Sequence, residues 1–150
     1  MEYKLIFEEN FDNARKEIKK IGKETSIIFS GDDETNRKVL EKEKIDILLL
    51  NQANRKDFQK QRNSGLNQVL AKLAKMNNVV IGTNLDEITQ SKSKSKAEII
   101  SRIKQNIKIC SKNKLKMKFI AINEKNQRNI YDLKALGIVL GMPTFMTKTL

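Results

Sequence analysis

The sequence contains no histidine, no tryptophan, one proline and a single cysteine, Cys110. Without histidine, the chain cannot form a Ser-His-Asp or Cys-His catalytic site, or a metal site that needs an imidazole ligand. A lone cysteine excludes a disulfide within the chain, which suits a reducing compartment. No apolar run approaches the roughly 18 residues of a membrane span, and the first nine residues lack a signal-peptide pattern. We therefore expect a cytoplasmic protein without membrane contact.

The charge is strongly positive and unevenly distributed. Thirty Lys and Arg stand against 18 Asp and Glu, a net charge of +12. Residues 91–118 hold ten basic side chains and one acidic one, whereas residues 1–50 hold ten basic and twelve acidic ones. Lysine-rich composition alone can be a genomic bias, so the location of the excess is the better indication of a polyanionic partner. With 150 residues, 39% of them hydrophobic, we expect one folded domain over residues 1–150.

Short apolar runs alternate with amphipathic stretches along the whole chain. The runs predicted as strands are Tyr3–Phe7, Ser26–Ser30, Ile45–Leu50, Val79–Thr83 and Met117–Ile122. Strict β-α alternation predicts a parallel sheet, either doubly wound or barrel-like, and the pattern does not separate the two. Five strands cannot close a normal barrel, so the barrel interpretation requires an incomplete one.

Caps and breakers place the helices and loops between these strands. Asp32 and Asp33 are plausible caps of the second helix, Ser64 of the third, and the last helix should end near Gly141. The fourth predicted helix covers Ala97–Lys112. The two predicted exposed loops are Asn51–Asn63 and the low-complexity Ser91–Lys96.

Residues that could perform catalysis are scarce. The sequence Ser30-Gly31-Asp32-Asp33 follows a strand, so a magnesium site is conceivable, although a turn and helix cap explain the same residues better. Cys110 shares the apolar face of the fourth helix, where a core thiol is expected rather than a nucleophile. We therefore predict no catalytic residue and no metal ligand.

Basic residues form two clusters. Lys104, Lys108 and Lys112 recur every four residues on the fourth helix, with Arg102 predicted on its exposed side. Stacked like charges favour a polyanion over mere solubility, although a solvated lysine-rich surface is the alternative. The second cluster lies in the loop after the third strand, at the carboxyl edge of the sheet where ligands usually bind. The predicted RNA-binding residues are Arg55, Lys56, Lys60, Arg62, Lys92, Lys94, Lys96, Arg102, Lys104, Lys108 and Arg128. Few aromatics are present, so we expect recognition of RNA shape and backbone rather than base stacking.

Three segments resemble a known family. They are SGLNQVLAKLAKMNNVVIGTNL (64–85), RIKQNIKICSKNKLKMKFIAI (102–122) and RNIYDLKALGIVLGM (128–142). In order and spacing they are similar to ribonuclease P protein component 3, an archaeal and eukaryotic family with an incomplete, TIM-barrel-like α/β fold of the polymerase-and-histidinol-phosphatase kind. Arg128 and Asp132 match the family's late Arg and Asp, which would form an ion pair at a helix start. The chain departs from the family at Ile130, where a proline is usual, and at Asn51-Gln52, where many members have His-Pro.

The resemblance implies a non-catalytic, RNA-binding subunit of ribonuclease P, the RNA-based endonuclease that removes 5′ leaders from precursor tRNA. The partners it implies are the catalytic domain of the ribonuclease P RNA and a smaller protein subunit, in a heterodimer or heterotetramer, with precursor tRNA contacted indirectly. It implies no protein-bound cofactor, and magnesium for the reaction of the RNA. One alternative is a metal-dependent phosphoesterase of the polymerase-and-histidinol-phosphatase type, which needs several histidines; another is a general α/β RNA-binding module.

Overall fold

Strands and helices alternate in the computed structural model, which describes residues 2–150. The strands are β1 (Tyr3–Phe7), β2 (Ser26–Ser30), β3 (Ile47–Leu50), β4 (Val80–Asn84) and β5 (Met117–Ile120). The helices are α1 (Phe11–Lys19), α2 (Asp33–Lys42), α3 (Gln68–Met76), α4 (Leu85–Gln90), α5 (Ser93–Lys112), α6 (Ile130–Leu140) and α7 (Thr144–Thr147). A single 3-10 turn covers Glu124–Asn126. The predicted β-α alternation is confirmed, with α4 and α7 as additions.

The five strands form one parallel sheet in the order β1-β2-β3-β4-β5. Leu48, for example, lies beside Phe29 of β2 on one side and Ile81 of β4 on the other. A doubly wound sheet reverses its strand order at a switch point, whereas a barrel adds each strand to the previous one. The observed order is that of an open barrel segment, with β1 and β5 as its two edges.

Both faces of this sheet are apolar, which explains why the strands read as continuous hydrophobic runs. Leu48 and Leu50 point to the face that packs against the helices, in the main core. Ile47 and Leu49 point to the opposite face and form a smaller buried cluster with Ile28. Half-buried apolar residues of the other three strands surround that cluster: Leu5, Val80 and Ile120.

Asparagine and aspartate side chains begin most of the helices. Asp32 accepts a hydrogen bond from the Thr35 N–H at 2.7 Å and caps α2, as predicted. The prediction of Ser64 as the cap of α3 is wrong, because Asn67 accepts from the Leu70 N–H at 2.9 Å instead. The side chain and carbonyl of Ser64 are buried and already bonded to the preceding loop and to α5.

The end of α6 follows the prediction. Gly141 adopts a left-handed backbone conformation, with φ of 101°, directly after the helix. Glycine adopts this conformation without the steric cost that a Cβ atom imposes. Within residues 2–150, no helix combines the length and apolarity needed to cross a membrane.

Candidate nucleic-acid interface

The two basic clusters lie on elements that contact each other. The first lies in the loop between β3 and α3, residues 51–67, which we call the anchor loop. Gln105 of α5 joins it to the second: its Oε1 accepts from the Arg62 N–H at 3.1 Å, and its Nε2 donates to the Arg62 carbonyl at 2.8 Å. Lys108 follows one helical turn after Gln105, so the cations of loop and helix are neighbours.

Arg102 holds the anchor loop from inside the protein. The prediction that it lies on the exposed side of its helix is wrong, since its side chain is 3% exposed. Its guanidinium donates to the Gln52 carbonyl at 2.9 Å, the Arg55 carbonyl at 2.8 Å and the Asp57 carboxylate at 2.9 Å. These bonds occupy the guanidinium, so Arg102 positions the loop and, contrary to the prediction, does not offer its charge to RNA.

Asp57 is the acidic residue that binds Arg102 and two residues of the anchor loop. Besides Arg102, its carboxylate accepts from Arg62 Nη1 at 2.7 Å and from the Asn63 N–H at 2.9 Å. The hydrogen bond from Arg102 is the main reason why the pKa of Asp57 lies far below its usual range. The carboxylate therefore stays charged well into the acidic range.

Arg55 also performs mainly a structural role. It forms two hydrogen bonds of 2.9 Å with the carboxylate of Asp33, at the start of α2, and donates through Nε to the Asn51 carbonyl at 2.6 Å. Gly65 allows this arrangement, because its φ of 76° suits glycine and a Cβ would lie 2.6 Å from Arg55 Nη2. Arg55 thus fixes the shape of the loop, while Lys56, Lys60 and Arg62 are exposed to solvent.

Three lysines on α5 form what we call the lysine row: Lys104, Lys108 and Lys112. All three are exposed, and none makes an ion pair with a described residue. Their spacing places them about 5–6 Å apart along one side of the helix. The row opposes the buried face that carries Ile103 and Ile107. It is therefore an uncompensated cationic strip beside the anchor loop.

The Ser-Lys repeat is helical rather than a loop, so the predicted Ser91–Lys96 loop is wrong from Ser93 onward. The helix begins at Ser93, four residues before the predicted Ala97. Lys92 is the N-cap residue and makes no side-chain capping bond, while Lys94 lies 4.0 Å from Glu98 one turn later. Lys92 and Lys94 are exposed and Lys96 is half-buried. These lysines extend the cationic strip toward the start of α5.

Arg128 and Asp132 do not form the predicted ion pair. Arg128 Nη1 instead donates to the carbonyls of Gln127 at 2.9 Å and Lys125 at 3.3 Å. Asp132 lies in the first turn of α6, whose N-cap is Asn129. The Arg128 side chain is exposed and folds back on its own turn, so no carboxylate neutralises it among the described residues.

A polar network lines the carboxyl edge of the sheet. Asn84 Nδ2 donates to Asn51 Oδ1 at 2.9 Å, and Asn51 Nδ2 donates to Ser30 Oγ at 3.0 Å.

The half-buried Glu87 carboxylate binds the backbone at the start of the anchor loop. It accepts the N–H groups of Gln52 and Ala53 at 2.7 and 3.1 Å. Burial raises the pKa of Glu87. These contacts fix the start of the anchor loop.

The residues considered as a nucleophile or as metal ligands have structural roles. Cys110 is fully buried in the main core, and desolvation raises the pKa of its thiol to about 12, so it is not a nucleophile at neutral pH. Asp32 caps α2 and Asp33 binds Arg55. Across residues 2–150, no group of three or more Cys, Asp or Glu side chains is arranged to hold a metal ion.

Sequence reasoning missed Asp57, Phe58 and Gln105. Asp57 is the one acidic residue between Arg55 and Arg62, a signal of an internal salt bridge. Gln105 carries no charge and follows no pattern, so only the packing of α5 against the loop reveals it. Phe58 is exposed in the middle of the basic loop rather than in an apolar pattern.

These features define a class: an α/β protein with an open, TIM-barrel-like sheet, a rigid basic loop and a cationic helix. A chain in the cryo-EM structure of archaeal ribonuclease P with mature tRNA has the same fold, with a TM-score of 0.77 and 24% identity over 98% of this chain and 63% of that one. No family model matches the sequence.

Several curated relatives carry the name ribonuclease P protein component 3. The chain is 29% identical to that protein of Methanococcus maripaludis strain C6 over 147 residues, 97% of this chain and 59% of the relative. It is 37% identical to that of Methanosarcina mazei over 86 residues, 57% of this chain and 33% of the relative. The resemblance to ribonuclease P protein component 3 is thereby confirmed. The chain spans about three fifths of the length of the first of these relatives.

Proposed function

We propose that this chain is a non-catalytic, RNA-binding protein subunit of ribonuclease P, which supports the catalytic RNA in removing 5′ leaders from precursor tRNA. The observation that carries the proposal is the lysine row, a strip of exposed cations without acidic partners among the described residues. The similarity to ribonuclease P protein component 3 indicates which RNA this strip would bind.

Phosphate groups supply the negative charge that the lysine row lacks. Neighbouring lysines one turn apart repel each other, and a phosphate backbone relieves that repulsion while releasing its condensed counterions. The bonds of Arg102 and Asp57 keep the anchor loop in place beside the row. Loop and helix would therefore meet the RNA as one preformed surface, with Lys56, Lys60 and Arg62 on the loop side.

We further propose the setting in which this surface works. The chain acts as one domain in the cytoplasm, bound to the catalytic domain of the ribonuclease P RNA. It pairs with a smaller protein subunit, in a heterotetramer, and reaches precursor tRNA through the RNA. The protein holds no cofactor, and the RNA binds the magnesium ions that its reaction requires.

A titration with the catalytic domain of ribonuclease P RNA tests this function. Replacing Lys104, Lys108 and Lys112 by Gln should weaken binding by about tenfold or more and lower the slope of log affinity against log salt by about 3, one unit per lysine. The matched control replaces three exposed lysines of the N-terminal region by Gln: Lys16, Lys19 and Lys23. The control should bind as the unaltered chain does.

Two results would contradict the proposal. One is equal affinity of the unaltered chain for a random structured RNA of the same length. The other is equal loss of affinity in the lysine-row variant and in the control, because the net charge of the whole chain would then explain binding without a defined surface.

A further inference from the structure

Phe58 is the one large apolar side chain of the anchor loop that faces solvent. Its exposed fraction is 57%, whereas Leu66 in the same loop is buried. Exposing an aromatic ring forgoes the free energy of its burial. A partner that covers the ring would recover that energy.

The backbone that carries the ring is held in place. The Phe58 N–H donates to the Gln61 carbonyl at 3.0 Å, which closes the tip of the loop. The preceding residue is Asp57, which is bonded to Arg102, Arg62 and the Asn63 N–H. A partner that covers Phe58 therefore meets a ring on a preorganised loop, and binding does not have to order the backbone first.

The exposed charged side chains next to the ring within the loop are all cationic. Lys56, Lys60 and Arg62 are exposed within four residues of it, and Arg62 is the only one of the three in an ion pair. An apolar protein segment docking here would desolvate these charges, whereas a nucleotide brings its own phosphate to them. An aromatic ring among cations is the combination that binds unpaired nucleotides.

Two cavities adjoin Phe58 and offer room for a base. Phe58 lines a cavity of about 840 Å³ shared with the start of α3, including Val69. It also lines a second one of about 470 Å³, bounded by Lys60 and Gln105. From the exposed ring, the flanking cations and these cavities, we propose that Phe58 stacks on an unpaired nucleobase of the bound RNA.

This proposal rests on the proposed RNA-binding function and adds a preference to it: the anchor loop selects RNA that has unpaired nucleotides beside a helix. It also replaces the expectation that the chain recognises RNA through its shape and backbone alone. The lysine row would bind the phosphates of a stem, while the loop captures a base from the adjoining single strand.

Two substitutions of Phe58 separate stacking from general packing. Phe58→Leu keeps an apolar side chain but removes the ring, whereas Phe58→Trp keeps a ring and introduces the only tryptophan of the chain. The probes are an RNA hairpin with an unpaired loop and a fully paired duplex with the same stem. The control is Tyr131→Leu, which removes an aromatic that is 79% exposed on α6.

Phe58→Leu should weaken binding to the hairpin about tenfold and leave duplex binding and the salt dependence unchanged, because no charge is lost. Phe58→Trp should bind the hairpin within about threefold of the unaltered chain, with quenching of its tryptophan fluorescence on saturation. Tyr131→Leu should have no effect on either RNA.

Different failures have different meanings. Unaltered hairpin affinity in Phe58→Leu, or tryptophan fluorescence that does not change at saturation, would overturn the stacking proposal alone and leave Phe58 as a contact for a protein. An equal loss on hairpin and duplex would overturn it as well. If the unaltered chain binds neither of these RNAs nor the catalytic domain of ribonuclease P RNA, the proposed function fails, and the inference built on it fails too. Binding to that domain but to neither probe would overturn the preference for unpaired nucleotides beside a helix.

Discussion

The first fifty residues and helix α5 differ in how their positive charges are balanced. Twelve acidic side chains accompany the ten basic ones of the N-terminal region, and four of those ten form ion pairs, as in Arg15 with Glu43 and Arg37 with Glu41, both at 2.9 Å. On α5, the lysine row has no such partner among residues 2–150. The comparison shows that a net charge of +12 does not identify a binding surface until the region that carries the excess positive charge is located.

A second contrast lies within the interface, between its arginines and its lysines. Arg102 donates to carbonyls and a carboxylate of the anchor loop, whereas Arg55 links the loop to the Asp33 carboxylate of α2; their side chains are 3% and 14% exposed. Arginine suits this role because its planar group carries several donors at fixed angles. The lysines remain at the surface. These two shielded arginines therefore hold the site together, while the lysines and the exposed Arg62 form its surface.

The largest loss of stability is expected from removing Arg102, the buried cation of the interface. Arg102→Ala removes the donor to two carbonyls and leaves Asp57 without its buried partner, so the free energy of unfolding should fall by about 3–5 kcal/mol. Urea denaturation measures the change. Lys104→Ala, two positions along the helix, is the control and should shift stability by less than about 0.5 kcal/mol. Equal effects of the two substitutions would remove the distinction between structural and surface cations.

A smaller effect with a pH signature is expected for Asp57→Asn. The variant should lose about 2–3 kcal/mol of unfolding free energy at neutral pH, because Arg102 loses its anionic partner. Since the folded pKa of Asp57 is depressed, mainly by Arg102, its stabilising contribution is present above the unfolded pKa of about 3.9 and is lost as the pH falls below it. Denaturation from pH 7 to pH 2 should therefore show the two proteins converging in acid. A constant difference across that range would be inconsistent with a charged partner.

The smallest effects should have opposite signs in the two regions. Replacing the lysine row by Gln relieves two like-charge contacts and should raise the unfolding free energy by about 0.4–1 kcal/mol in low salt. Arg37→Gln breaks its contact with Glu41 and should lower it by about 0.3–0.5 kcal/mol. Thermal unfolding at low and at 1 M salt tests both, since screening should abolish both changes. Effects of the same sign would show that the two regions do not differ in their charge balance.

Most of the fold could be predicted from the sequence because its signals are local. Continuous runs such as Ile47–Leu50 indicate buried strands, and Gly141 marks a helix end. The hydrophobic pattern alone does not separate a doubly wound from a barrel-like sheet, because strand order depends on contacts between distant segments. The family resemblance implied the barrel-like sheet, and the strand order confirms it. The start of α3 was misplaced because Ser64 and Asn67 are both good caps, and packing of Ser64 against α5 decides between them.

The sequence predicts which segments carry the basic surface, but it assigns the wrong role to some of their residues. Charge clustering located the surface, but it could not separate Arg102, which shares a helix face with Ile99 and Asn106, from the exposed lysines. The position of Arg102, three residues after Ile99 and four before Asn106, was the available signal. The binding of Asp57 by Arg102 spans 45 residues of sequence, and no local pattern contains it.

The sequential order of the strands also has a consequence for how the chain acquires its structure. Each strand pairs only with its neighbours in sequence, so every contact of the sheet closes a loop of moderate length. Short closures cost little entropy and speed folding. During synthesis, each new β-α unit can therefore add to a template that has already left the ribosome. The anchor loop is the exception, because it must wait for α5 to deliver Arg102 before it becomes rigid.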